Sequence, residues 1–530
     1  ERGRAGQPSA GTGRPAAPPA PDRPPAAPFA KVDAPSAVRP ASTAGAADFS
    51  LFRTRLRDLT GRRPVTCPAA TAIAEAARLM TAQGVGSVIV VDGAGRPLGI
   101  VTDRDLRTRV VAAGVEPGAS VATVMSSPLV SLEADRFAFD ALLEMTRRAI
   151  HHLGVVEAGR LVGVVSSEDF VTLQGAYPAS LAREIETSPS FDELAQVVPR
   201  LTAVVRRLAA EGAGPFHLGQ LVAELNDRLV QRAVALAEAQ LAADGWGRAP
   251  LPYAWLAAGS EGRREQTFRT DQDNGLVYED PPAAERDAAA GYFARLAGAA
   301  GAGLVRIGFP LCPGGFMASN PRWCQPRSVW QEYFRSWMAV PQPDRLLCAS
   351  VYLDLRPVAG EPSVGRALWE WVCDLAPSQT LFHRHLARLA LDWRPPLGLF
   401  GRLAPPRSGP QRGRLDLKQG GVLPVTQAMR VYAVQLGVRE TNTRLRLAAC
   451  GARGIFTPAE VEELEAAYEA ILRVQLVHQL ACLEAGLPPD NLVDPRRLGR
   501  LDRLLLREAL RTVRWMQRGL EERFMTALLP

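Results

Sequence analysis

Hydrophobic positions change rhythm several times along the chain, and each change predicts a different element. From residue 63 two stretches follow the same course. Each opens extended at Pro64 or Pro128, passes through a helical pattern around Met80 or Met145, then a β-branched run, a turn, and a short strand leading into a second helix. Laying "RPLGIVTDRDL" over "GRLVGVVSSEDF" pairs Gly99 with Gly163 and Asp105 with Asp169 at one offset (163 − 99 = 64, 169 − 105 = 64), which Pro64 and Pro128 also keep. Residues 63–175 are therefore expected to be a duplicated β-α-β-β-α unit.

Residues 181–245 carry apolar positions three and four apart and predict two packed helices. After Gly245 the pattern shortens: "YAWLAAGS", "GLVYED" and "ASVYLDLRPV" read as three strands separated by helical or Gly/Pro-rich segments, a small mixed α/β domain over 246–360. From 361 to 530 the spacing is helical again, broken by "RPPLGLFGRLAPPRSGPQRGR", and its apolar stripe is core packing. Residues 1–50 hold too few large apolar side chains to offset ordering entropy and are expected to be a disordered Ala/Pro-rich tail or linker. The first residue is Glu1 rather than Met, so the tail also reads as a linker from a longer protein. The expected fold class is thus α/β and α, with a tandem repeat pair, a small mixed α/β domain and helical flanking domains.

Composition narrows the possibilities further. With 47% apolar and 22% charged residues and no uninterrupted apolar run of ~18 residues, the chain reads as soluble, without a membrane partner. Its seven cysteines are scattered and form no CxxC, so neither a disulfide framework nor a structural zinc site is indicated and a reducing cytoplasm is expected. The net charge is +7, but acids lie among the bases throughout, and no nucleic-acid partner is expected. Nearly all the positive charge is arginine; the lysines are Lys31 and Lys418. Lys418 in "LDLKQGG" therefore stands out as a position where a compact ammonium would serve a phosphate better than a planar fork.

The stretch "GSEGRREQTFRTDQDNGLVYED" concentrates the chemistry. If Gly259 and Ser260 turn a strand into a helix, backbone N–H groups and the Ser260 hydroxyl form an anion site. Asp271 and Asp273, two apart at a strand start, would place both carboxylates on one face to bind Mg²⁺. Asp354, an acid inside an apolar run, is the candidate third metal ligand. Arg263 and Arg264 are candidate phosphate contacts, with a solvated helix face as the alternative. "GFPLCPGGFMASNPRW" reads as a Pro/Gly turn and a helix with Asn320 at its N-cap and Pro321 following. The histidines at 151, 152, 383 and 385 lack suitable neighbours for a metal-hydrolase cluster.

The repeated G-x-x-[T/S]-x-x-D, carried by Gly99, Thr102, Asp105 and by Gly163, Ser166, Asp169, resembles the cystathionine-β-synthase (CBS) domain pair. That resemblance implies an adenosine nucleotide effector, phosphates meeting Thr102 or Ser166 and ribose hydroxyls meeting Asp105 or Asp169; helix capping is the alternative for the same residues. It also implies a homodimer through the pair. The order G-S, D-x-D and a later lone Asp, with "GFPLCPGGFMASNP", "LDLRPV" and "LDLKQGG", resembles the CBS-containing signal-transduction nucleotidyltransferases related to PII-protein uridylyltransferases. This implies transfer of a nucleoside monophosphate from an NTP to an acceptor hydroxyl with two Mg²⁺ ions on Asp271, Asp273 and Asp354, the last also helping to deprotonate the acceptor. The acceptor would be a protein, such as a PII-like regulator, or a small molecule. A non-catalytic nucleotide sensor and a tRNA or polynucleotide nucleotidyltransferase are the competing readings.

Overall fold

The computed structural model describes residues 51, 54–60, 64–167, 169–170, 178–266, 268 and 271–529. The tail expected over residues 1–50 and the end of the second repeat at 171–175 lie outside the described residues.

The duplication is visible strand by strand. β1 (Thr66–Pro68), β2 (Ser87–Val91) and β3 (Pro97–Thr102) form one sheet, β1 parallel and β3 antiparallel to β2. β4 (Ser131–Glu133), β5 (His152–Glu157) and β6 (Arg160–Ser166) repeat that arrangement. Val90 faces Gly99 and Val155 faces Gly163, with a register irregularity immediately after each. Both glycines are close-approach positions: a Cβ on Gly99 would sit 2.6 Å from the Ser126 carbonyl oxygen, and one on Gly163 would sit 2.2 Å from Thr60 Cγ2. The repeats differ in their attachments. The first keeps its own core around Ile73, Met80, Val88 and Val101, whereas Phe139, Leu142, Leu153 and Val165 of the second share a core with the helices that come after.

Those helices are Pro178–Thr187, Phe191–Ala210 and Pro215–Ala243, one more than the two expected, because the run beginning at Pro178 is already helical. Their core continues into one face of a second sheet. β7 (Tyr253–Ala257), β8 (Asn274–Tyr278), β9 (Cys324–Pro326) and β10 (Arg356–Gly360) lie in the order β10-β7-β8-β9, antiparallel except for the β8–β9 pair. Along β7, Tyr253, Trp255 and Ala257 pack with the preceding helices; Ala254, Leu256 and Ala258 pack with the C-terminal ones. A strand buried on both faces needs an unbroken apolar run, which is why "YAWLAA" does not alternate.

The third expected strand is corrected. "ASVYLDLRPV" is the end of a helix (Pro343–Tyr352), a turn at Leu353–Leu355, and then β10. Leu346, Ala349 and Tyr352 are buried at a spacing of three, and Pro343 opens the helix, so the apolar run is a buried helical turn rather than a strand. Among the described residues one helix, Ala283–Ile307, is long and apolar enough to cross a bilayer by length and composition, and half of its most apolar stretch is buried. Its Phe293 stacks on Tyr278 of the sheet at 4.4 Å.

The remaining chain is helical as expected, and the helices Pro362–Leu375, Thr380–Leu391, Leu423–Gln435, Thr443–Ala452, Pro458–Glu484 and Arg500–Phe524 share one core with the other sheet face. A two-stranded antiparallel pair, β11 (Leu415–Asp416) with β12 (Leu492–Val493), lies among them, β11 ending two residues before Lys418.

Candidate active site

Gly259 to Gly262 form a single helical turn directly after β7, as the strand-to-turn reading requires. Gly259 has φ +55, and a Cβ there would lie 2.5 Å from Asp273 Oδ2. The glycine is needed both for its left-handed backbone and because the turn presses against that carboxylate. The Ala258 N–H donates to the Asp273 carbonyl at 2.8 Å, tying the end of β7 to the start of β8.

Asp271 and Asp273 precede β8 and converge. Their carboxylates and the Cys312 thiol have one atom each within 4.8 Å of one another. Gln272 between them points the other way, buried, donating to the Phe309 carbonyl at 3.0 Å. This alternation is what a two-residue spacing dictates in extended backbone. Asn274 Oδ1 accepts from Ala318 N–H at 2.8 Å and the Asn274 N–H donates to the Phe316 carbonyl at 2.9 Å, so the loop carrying Cys312 is anchored to β8, while Tyr352 donates to the Asn274 carbonyl at 3.1 Å from the following helix.

Burial pushes the Asp273 carboxyl up to about 6, with Asp271 adding to the rise; a hydrogen bond from Cys312 and the charges of Lys418 and Arg263 oppose it. Burial likewise raises the Cys312 thiol, so it keeps its proton at neutral pH and serves Asp273 as a donor. Sequence reasoning misses Cys312 because no second cysteine or histidine stands at ligand spacing near it.

Lys418 is exposed just after β11, and its charge acts on Asp273. The glycines after it face elsewhere: a Cβ on Gly420 would strike Pro396 at 2.6 Å and one on Gly421 would strike Ile471 at 2.7 Å. They close the helix packing.

Asp354 is corrected outright. It is fully buried, and its carboxylate accepts from Arg263 Nη1 at 2.6 Å, Arg446 Nη1 at 2.6 Å and Arg430 Nε at 3.0 Å, with a further bond from Arg430 Nη2. Burial alone would raise its pKa, but the guanidiniums of Arg430, Arg446 and Arg263 override it and hold the group well below the usual carboxylate range. A carboxylate so enclosed has no lone pair free for a metal and no basicity to take a proton.

Arg263 is corrected with it. Its side chain is buried between Asp354 and Glu265, the latter at 2.8 Å, and is not available to a phosphate. Glu265 in turn accepts from Thr443 N–H at 2.6 Å, while Thr441 and Asn442 donate to the carbonyls of Gly262 and Arg263 at 2.9 and 3.0 Å. The charged run after Gly259 is thus mostly the socket into which the C-terminal helices lock. Arg264 has φ +57 and reaches Asp227 at 3.4 Å, with part of its side chain exposed. Arg356 makes the stronger pair with Asp227, at 2.7 and 2.8 Å, and donates to the Glu261 carbonyl at 3.1 Å. Glu261 is buried beside Asp227, its Oε1 without a partner among the described residues, and burial pushes its pKa up to about 8.

Asn320 caps as expected, accepting from Arg322 N–H at 3.1 Å, but the element it opens is one 3₁₀ turn (Pro321–Trp323) leading into β9. In the repeats, Thr102 and Asp105 form a reciprocal box: Asp105 Oδ2 accepts from the Thr102 hydroxyl at 2.6 Å and from its N–H at 3.0 Å. Asp169 does the same for Ser166 at 2.8 and 2.6 Å. The capping role is therefore present in both halves.

The donor set can be tested against Mg²⁺. A hard cation that keeps water and substrate oxygens needs one or two protein carboxylates, and Asp271 and Asp273 supply two, packed against a turn that tolerates no side chain. The pair fits; Asp354 and the neutral Cys312 thiol do not belong to the oxygen set.

Residues 199–344 match the family described as "Putative nucleotidyltransferase DUF294", and residues 380–524 match "Putative nucleotidyltransferase substrate binding domain". Residues 56–112 and 121–175 each match the CBS domain. The uncharacterized protein MK0525 of Methanopyrus kandleri is 33% identical over 121 residues, 22% of this chain and 61% of that protein, so the chain spans less than two thirds of its length. The CBS domain-containing protein YhcV of Bacillus subtilis is 37% identical over 102 residues, 19% of this chain and 72% of that one. Among solved structures, CBS domain protein PAE2072 from Pyrobaculum aerophilum complexed with AMP is 28% identical, covering 23% of this chain and 99% of that chain at a TM-score of 0.21.

Proposed function

Since the chain belongs to the CBS-domain-containing nucleotidyltransferases, we propose that it is a Mg²⁺-dependent enzyme moving a nucleoside monophosphate from an NTP to an acceptor hydroxyl. The observation that carries this reading is the convergence of Asp271 and Asp273 against the Gly259 turn, with the charge of Lys418, from the C-terminal helical region, acting on Asp273. Asp271 and Asp273 would hold the metal, which when bound supplies charge neutralisation at the phosphates. Ser260, on the turn, and Lys418 would bind phosphate oxygens, together with Arg264, part of whose side chain is exposed. Asp354 acts only as a positioning residue: it draws Arg263, Arg430 and Arg446 together and so fixes the turn on the helical domain. Phosphoryl chemistry asks chiefly for positioning and charge stabilisation, and this arrangement supplies both without a general base at 354.

The acceptor in this proposal is a protein hydroxyl, such as that of a PII-like regulator, or a small-molecule hydroxyl, and the enzyme works in the cytoplasm as a homodimer through its CBS pair. An adenosine nucleotide binding at Thr102/Asp105 or Ser166/Asp169 would regulate it, because opening either capping box frees a hydroxyl and a carboxylate for phosphate and ribose. Incubation with α-labelled NTPs, Mg²⁺ and candidate acceptors tests the proposal. Transfer of label that disappears in Asp271→Asn and Asp273→Asn supports it; transfer unchanged in both variants, or absent with every NTP in the wild type, overturns it.

A further inference from the structure

The C-terminal domain contains a second group of metal-competent donors far along the chain from the aspartate pair. His478 and Cys482 lie one helical turn apart near the end of the Pro458–Glu484 helix, and Asp490 stands in the loop between that helix and β12. One ligand atom from each falls within 4.8 Å of the other two. The His478 Nε2 is 2.6 Å from Asp490 Oδ1 and 3.6 Å from Cys482 Sγ.

Both neighbours address the same imidazole nitrogen. A nucleophilic Cys-His-Asp relay needs the thiol on one ring nitrogen and the carboxylate on the other, so this geometry is not a relay. It is the geometry of three donors aimed at one point. Bonds of ~2.0 Å to nitrogen and ~2.3 Å to sulfur at a tetrahedral angle place N and S about 3.5 Å apart. Thiolate, imidazole and carboxylate together select a borderline cation of the Zn²⁺ class over Mg²⁺. The carboxylate would have to move back by less than ~1 Å to reach the same arrangement.

The surrounding contacts hold this loop in place. Asn491 Oδ1 accepts from Gln475 at 2.6 Å and Gln479 at 3.0 Å, on the same helix, and Asp490 Oδ1 also accepts from Leu492 N–H at 2.9 Å. The Asn491 carbonyl accepts from Leu417 N–H at 2.9 Å, adjacent to Lys418. We propose that His478, Cys482 and Asp490 form a Zn²⁺-binding site that staples the 485–491 loop to its helix and, through β12 and β11, steadies the segment bearing Lys418. The sequence conceals it because one cysteine, one histidine and one aspartate spaced four and eight apart match no paired-cysteine pattern.

Cys482 is the half-buried member of the seven cysteines, the other six being buried, which makes the test selective. The full chain is stripped with chelator, titrated with Zn²⁺, and its bound metal counted after desalting. One equivalent should be lost in His478→Ala and in Cys482→Ser yet retained in Cys312→Ser and in Asp271→Asn, with unfolding temperature rising on Zn²⁺ addition only where the equivalent is retained. Co²⁺ should give a thiolate charge-transfer band that persists in Cys312→Ser and vanishes in Cys482→Ser. In the native wild type Zn²⁺ should slow alkylation of Cys482 at least tenfold, and in Asp490→Asn much less. Equal zinc content in wild type, His478→Ala and Cys482→Ser overturns the site, as does Cys482 alkylation in the wild type indifferent to Zn²⁺.

Discussion

Asp273 and Asp354 are the same residue type in one small domain, yet their surroundings are opposite. Asp273 lies against a glycine turn and a neutral thiol, with a second carboxylate near it and a lysine and an arginine acting from beyond, and its proton is held up to about 6. Asp354 is sealed by three arginines and holds its charge far into acid. The difference teaches that an acid in an apolar run is read correctly only when its counter-charges are known. A carboxylate left short of cations is poised to take one from solution; a carboxylate with three guanidiniums is already a finished structural joint.

The comparison is broken most severely at Asp354. Asp354→Asn leaves three buried guanidiniums short of an anion and should cost about 3–5 kcal/mol. Chemical denaturation of the variant measures this, and a loss below about 1 kcal/mol would mean that the arginines are not held by Asp354.

Glu261 sharpens it from the other side. Its folded pKa of about 8 lies above the unfolded value of 4.5, so the folded state holds a proton that the unfolded state releases. Stability from this group is fully present below about 4.5 and is lost as pH rises toward 8, at up to about 1.4 kcal/mol per pH unit. Glu261→Gln should flatten that decline in melts recorded from pH 5 to 8, and a wild-type profile that is already flat there contradicts the assignment.

Smaller effects are expected at the periphery. Lys418→Arg keeps the charge but replaces a point donor with a fork, and should lower kcat/KM about tenfold with an unchanged melting temperature. Kinetics equal to wild type would return Lys418 to an ordinary surface role. Asp105→Ala should weaken an adenosyl ligand of the CBS pair by a factor of about ten, seen by calorimetry, since a charge-assisted bond is lost; unchanged affinity would leave Asp105 with capping alone.

Much of this is legible in the sequence. The repeat can be read from its 64-residue offset because each glycine meets a backbone or side chain at under 3 Å and each acid closes a cap, so both leave fixed marks. The Gly259 turn and the Asp271/Asp273 pair are legible because strand geometry and a two-residue spacing determine where they point. The partners of Asp354 are not, since Arg430 and Arg446 come from 76 and 92 residues away and one arginine among many carries no signal. The "ASVYLDL" helix reads as a strand for a related reason: once an element is buried on all sides, the polar positions that distinguish a period of 3.6 from a period of 2 are gone. The roles of Arg263 and Glu265 likewise depend on helices more than 170 residues later.

The central claim is that Asp271 and Asp273 are cation ligands and Asp354 is not. Mn²⁺ binding, followed by the loss of its free-ion electron paramagnetic resonance signal in the presence of NTP, tests this on the wild type and on Asp273→Asn. The account predicts saturable binding in the wild type, weakened at least a hundredfold in Asp273→Asn although that variant melts no lower than wild type. Wild-type Mn²⁺ affinity in the folded variant would contradict it.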